Sequence, residues 1–362
     1  MTSDNKMAKL HNVQILRGLL FIGILLFHAS APFARIMWGG VESFFVISAF
    51  FATKSFIIGS KPTSISRKFK ERIKRLYPPY LVLMIVVTVL ALILHTVPWD
   101  IFFHIPFLQN FLWMVTDYCS PLQPFTAHTW TMTIEVVNGL ILLFCFKISG
   151  NSRKGLIRIL YLLLGIGIVY RCIMLVFSMR VMLITLCPVG HLDAFAFGGL
   201  VASDIYFDHN SGKKTTRKYK YFLFSLIGII GILLCWLYLD IANNMGFLEA
   251  YNLFGTARGY MNNLLSGNIY LFIDFLTIGL LNICIITESG TVRKSVLGLL
   301  EKLGNISYEA YLFHWPILVI VKHIVNNWVA LSLVTFVITV ISSIVFDTLM
   351  KRARLLIREN EK

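Results

Sequence analysis

Recurrent apolar runs of bilayer length constrain this chain more than any other feature of it. About 20 apolar residues cross the hydrocarbon core as a helix, because lipid offers no partner to backbone N–H and C=O groups. Read this way, the sequence places spans near 14–32, 39–58, 77–97, 127–147, 157–178, 182–203, 221–241, 263–287, 304–324 and 328–350. The expected fold class is all-α: a polytopic membrane protein of about ten transmembrane helices, forming one integral membrane domain over 1–362. Composition agrees, with 57% hydrophobic and 14% charged residues where a soluble protein carries roughly a quarter charged. No cleavable signal peptide is expected, since the first span lacks a small-residue cleavage site and another span soon follows.

The formal charge of +15 does not point to nucleic acid, because the basic residues gather in short loops between apolar runs. With the N-terminus inside, segments 1–17, 59–76, 147–158, 204–220, 288–302 and 351–362 hold 27 of the 33 Lys and Arg residues. That asymmetry predicts both termini in the cytoplasm. None of the six cysteines forms a CxxC pair, so no metal or redox role is expected, and only Cys119 and Cys187 are placed to meet outside the cytoplasm. The uncharged excursion 98–126 reads as an outer loop with an interfacial or re-entrant helix near 105–116. A second outer loop, 242–262, reads as an acceptor entrance.

Polar residues inside spans are the functional candidates. Arg17 and His28 lie on one face of the first span, about 16 Å apart along a helix. They either face a protein interior or are a snorkelling arginine and a satisfied core histidine. Glu42 is near the outer end of the second span, as a hydrated group or a functional one. The segment KPTSISRKFKERIKRLYPPY contains Arg72 and Arg75 at i, i+3, which on a helix offers two guanidinium forks to one phosphate. Such a loop also serves as an anionic-lipid anchor. In the fourth span His128 and Glu135 share a face with Trp130 nearby, Glu135 roughly 10 Å deeper. If the first and fourth spans are neighbours, His28 and Glu135 sit at similar depth. A His–carboxylate pair fixes the imidazole tautomer and suits removal of a proton from an alcohol. Asp193 of the sixth span is either catalytic or a structural partner of Arg171. His314, beside the kinking Pro316, either lines a cavity or bonds to carbonyls freed by the kink.

Together these pieces resemble the acyltransferase 3 family of integral membrane acyltransferases. The resemblance rests on Arg17-x10-His28, FFVISAF at 44–50, RIKRLYP at 72–78, HTWTMTIE at 128–135, LDAFAFG at 192–198 and SYEAYLFHWPI at 307–317, in that order along almost the whole chain. Departures are Ala49 for a usual glycine, Asn12 for a frequent aspartate, and His191 for an arginine. The chain reads as a stand-alone form without the fused esterase-like domain of some members.

The resemblance implies transfer of an acyl group, usually acetyl, from cytoplasmic acyl-CoA to a hydroxyl of an extracytoplasmic or lipid-linked carbohydrate. Acetyl-CoA is then the donor substrate, with no metal cofactor. Membrane lipid is the surrounding partner, and the bacterial cytoplasmic membrane the expected location. Arg72 and Arg75 become ligands for the CoA phosphates, with Arg17 facing the donor path. His28 becomes the base, held by Glu135 or another carboxylate. His128 and Trp130 would orient the sugar, with Asp193 and His314 in support. The rival classes are a transporter or export factor for a glycan or its lipid-linked precursor, and an inactive structural or regulatory relative.

Overall fold

Because an apolar helix satisfies its own backbone and exposes only side chains to lipid, the predicted spans become helices nearly where hydropathy puts them. The computed structural model describes residues 10–59, 64–150, 152–207, 214–244, 246–254, 264–288 and 296–360, and among them it is helical with no strand. We number the principal helices α1 His11–His28, α2 Gly40–Ile58, α3 Ile65–Ile93, α4 Trp130–Ile148, α5 Arg153–Val176, α6 Leu192–Tyr206, α7 Lys214–Asn243, α8 Ile269–Ile286, α9 Ser307–Lys322 and α10 Trp328–Asn360. Lys61 of the basic segment and most of the 242–262 loop beyond Phe254 lie outside the described residues.

Eight of these helices are long and apolar enough to cross a membrane: α1 to α5, α7, α8 and α10. The remaining two expected spans are helical but short, with 15 residues in α6 and 16 in α9. Both are largely buried in protein, where the chain is freed from the length that lipid demands. The sixth span is not one helix over 182–203 as expected. It breaks into Val181–Leu186, a 3-10 turn at Pro188–His191, and α6. Pro188 supplies no N–H to a continuing helix, and the Arg171 guanidinium donates to the Gly190 carbonyl two residues on at 2.5 Å.

Two packing features position the site. Small residues let α2 and α6 touch backbone to backbone: a Cβ on Gly198 would stand 2.1 Å from the Val46 carbonyl oxygen and 2.8 Å from the Ala49 Cβ. The basic segment, in turn, is no loop after Ser64. Ser64 caps α3 by accepting the Arg67 N–H at 3.3 Å, and the helix runs unbroken through Pro78 and Pro79. Arg72 and Arg75 therefore stand at fixed angles on a rigid element.

At the opposite end, residues 98–126 fold into short helices Ile101–His104, Gln109–Val115 and Gln123–Thr126, the middle one answering the helix expected near 105–116. Side-chain hydrogen bonds pin this cap. The Asp100 carboxylate accepts the Leu122 N–H at 3.0 Å, Tyr80 donates to the His104 carbonyl at 3.1 Å, and Asn110 donates to the Trp130 and Leu186 carbonyls at 2.8 Å. Cys119 and Cys187 form no disulfide; all six cysteines are free.

Candidate active site

A cavity of about 400 Å³ opens between α1, α2, α3, α4 and α9, lined by Arg17, Arg72, Arg75, Lys68, Glu135 and Glu309 among apolar neighbours. Four of the residues singled out in the sequence thus meet in one place. Arg72 is buried, and its Nη2 donates to the Glu135 carboxylate at 2.6 Å, to the Glu135 carbonyl at 3.0 Å and to Ser48 Oγ at 3.3 Å. Ser48 also donates to the same carboxylate oxygen. The guanidinium lies flat over Gly139, one turn after Glu135, where a Cβ would come within 2.5 Å of its Cζ. Arg75 is exposed and makes no hydrogen bond among the described residues, and Lys68 donates to Ser55 Oγ at 3.1 Å. Arg17 reaches Gln14 at 3.0 Å. Among the described residues the cavity thus offers one neutralised guanidinium and three cations, Arg17, Lys68 and Arg75, that form no ion pair, with Glu309 near Arg17 and Arg75, on helices that start at the basic end of the bundle.

Glu135 is therefore committed to Arg72, which corrects the expectation that it holds His28. His28, the last residue of α1, sits in a second centre, and no carboxylate among the described residues pairs with it. Its ring is 5.3 Å from His314 and 4.7 Å from Trp315, centroid to centroid, and His314 is 5.4 Å from His128. Pro316 explains the arrangement. Its missing N–H leaves the Leu312 carbonyl without a helical partner, and His128 Nε2 donates to that carbonyl at 2.9 Å. His314 donates from Nδ1 to the Tyr311 carbonyl at 2.6 Å instead. A carbonyl only accepts, so His128 carries its proton on Nε2 and His314 on Nδ1. The remaining nitrogens, His128 Nδ1 and His314 Nε2, are buried and lack a partner. His128 is only 2% exposed, so it braces the kink from inside rather than meeting a sugar at an open rim.

Tyr311 joins the two centres. It lines the cavity, its ring lies 5.4 Å from His314 and 5.5 Å from His128, and its hydroxyl donates to the His128 carbonyl at 2.9 Å. Asp193 belongs to a third, fully buried polar group, with the partly buried Trp130 at its edge. Asp193 takes a bidentate pair from Arg171 at 2.9 and 2.5 Å, the structural partner among its two expected readings. Trp130 packs beside His191 at 5.6 Å. His191 donates to the Thr185 carbonyl and contacts the Glu42 carboxylate at 2.7 Å. Glu42 is 1% exposed, not hydrated at an interface.

Comparison with known proteins bears on these centres. The sequence pattern of the family described as an acyltransferase domain matches residues 10–348. The chain belongs to the acyltransferase 3 family. The O-acetyltransferase OatA of Staphylococcus aureus strain NCTC 8325 is 23% identical over 337 residues, covering 85% of this chain and 50% of that protein. A putative O-acetyltransferase of S. aureus strain COL is 27% identical over 146 residues, covering 37% of this chain and 24% of that protein. The chain thus spans about half the length of OatA. No solved structure matches it.

Membership carries the fold and the broad chemistry: this is a multi-pass membrane protein of an acyltransferase family. Sequence reasoning missed Tyr311, Gly139 and Asp274. Asp274, in IYLFIDFLTIGL, was within reach of the rule that picked out Glu135, a lone carboxylate in an apolar span. Tyr311 and Gly139 gave no signal, because their importance lies in what packs against them.

Proposed function

We propose that the chain transfers an acyl group, acetyl first among the candidates, from acyl-CoA to a hydroxyl of a carbohydrate acceptor. One observation carries this reading. A cavity with more cations than carboxylates, in which Arg17, Lys68 and Arg75 form no ion pair among the described residues, lies at one end of α1 and a half-buried histidine at the other, with Tyr311 between them. Lys68, Arg75 and Arg17 suit the phosphates of CoA, and a cavity of this size suits the pantetheine arm rather than the nucleotide. We place the basic end in the cytoplasm of a bacterial cell, and the acceptor on the far side or on a lipid carrier.

In this account His28 accepts the acceptor's hydroxyl proton. The oxygen forms a bond to the thioester carbonyl carbon, the C–S bond breaks, and the CoA thiolate leaves, taking back the proton from His28. His314 takes the neighbouring place that a carboxylate was expected to fill. A neutral partner stabilises the imidazolium less than an anion does, so His28 acts on a hydroxyl already desolvated by the protein.

Purified protein in lipid, given acetyl-CoA and membrane glycan, should release CoA, and His28→Ala should abolish release while leaving acetyl-CoA binding intact. Binding lost together with turnover would remove His28 from the role of base. Failure of folded wild type to bind acetyl-CoA at all would favour glycan export over acyl transfer.

A further inference from the structure

The third centre, around Glu42, Asp193 and Asp274, joins α2, α6 and α8 away from the donor cavity and the histidines. Carboxylate oxygens from all three residues lie within 4.8 Å of one another, and Glu42, Asp193 and Asp274 are 1%, 0% and 0% exposed. Their hydrogen bonds do not balance. Arg171 directs four of its five N–H groups to Asp193, the Gly190 carbonyl and Asn268, and none of these bonds reaches Glu42 or Asp274. Glu42 engages His191 through one oxygen only. Three oxygens remain buried without a partner: both of Asp274 and Oε1 of Glu42.

Charge is short as well. His191 Nε2 must carry a proton to donate to the Thr185 carbonyl. Even with a second proton on Nδ1, imidazolium and guanidinium offset only two of the three carboxylates. One proton on Asp274 would balance the charge, but it forms a single hydrogen bond and leaves a third oxygen bare. Bare buried carboxylate oxygens are costly. One cation can bridge the three side chains: an oxygen of each of Glu42, Asp193 and Asp274 lies within 4.8 Å of the others, a spacing that a single ion bonded at about 2.4 Å, a length typical of calcium, can span.

We infer that Glu42, Asp193 and Asp274 hold a small hard cation of sodium or calcium size, which clamps α2, α6 and α8 together. The charge count favours a monovalent ion. The clamp lies on α2 one to two turns before Ser48, so it fixes the helix that forms one wall of the donor cavity.

The test is thermal unfolding of the full chain in neutral detergent, stripped with chelator into choline chloride. Sodium, potassium or calcium chloride is then titrated at constant ionic strength. A saturable rise in the unfolding midpoint with sodium or calcium, absent from the isosteric variant Asp274→Asn, is the expected result. Glu42→Gln should lose the rise too, and serves if Asp274→Asn does not fold. A wild-type midpoint indifferent to all three ions would overturn the site, because the missing charge is then a proton. An equal rise in the folded variants would overturn it as well, because the ion then acts elsewhere.

Discussion

Arg72 owes its position to two neighbours on α4, the carboxylate of Glu135 and the bare face of Gly139. Helix propensity alone would favour Gly139→Ala by about 1 kcal/mol. Here the added methyl meets the end of a flexible side chain, so we expect little change in the unfolding midpoint but a displaced guanidinium. Acetyl-CoA affinity, measured by calorimetry, should fall about tenfold or more. Glu135→Gln should do the opposite. It leaves Arg72 buried beside a neutral group, at a cost of about 3 kcal/mol in stability by thermal or denaturant unfolding. At this scale the sequence was half legible. Arginine, glutamate and histidine inside apolar spans marked themselves as costly and hence purposeful. Which of them pair was not written there, because pairing depends on helix rotation and neighbour order. Glu135 thus went to Arg72, and His28 was left to other histidines.

The ninth helix shows what one missing N–H can organise. If His128 stands in for the donor that Pro316 lacks, His128→Leu leaves a buried carbonyl bare and should cost about 1–3 kcal/mol. In a Pro316→Ala background the helix can supply its own N–H, and the cost should shrink. A double-mutant cycle reads that coupling directly, and strict additivity would contradict it. The kink itself was legible from Pro316, but the residue that answers it lies 188 positions away at His128. The cap over 98–126 carries a pH dependence. Burial pushes His104 below its ordinary value of 6.5, against the pull of Asp100. Burial alone would raise Asp100, but the neighbouring His104 and Ser120 side chains and the Leu122 N–H that it accepts hold it below 3.8. Both values are lower in the folded cap than in the open one. The cap therefore loses stability as pH falls below 6.5, and further below 3.8. Protection of the amides of residues 98–126, taken relative to intrinsic exchange at each pH, should be lower at about pH 5 than at pH 7.5, and the His104→Gln variant should lose the upper part of that dependence.

Seen whole, the molecule separates its tasks along α1. Cations gather where the basic helices begin, histidines gather where α1 ends, and a buried acidic centre braces the helices between cap and cavity. Hydropathy located every principal helix, since lipid permits so few structures. It could not show that α6 and α9 are short and interior, because burial in protein and burial in lipid select the same apolar residues. Pro188 marks the break in the sixth span, but nothing in hydropathy shows that Arg171 reaches Gly190 there from another helix. In the proposed mechanism the donor site and the base are separate. Equilibrium binding of acetyl-CoA to the wild type, Arg75→Ala and His28→Ala tests that separation. Arg75 is exposed and His28 lies about 16 Å beyond Arg17 along the helix, so neither change should unfold the protein. The predicted result is an affinity weakened about tenfold by Arg75→Ala and unchanged by His28→Ala. Binding that ignores Arg75 and fails with His28 would place the donor at the histidines and contradict the account.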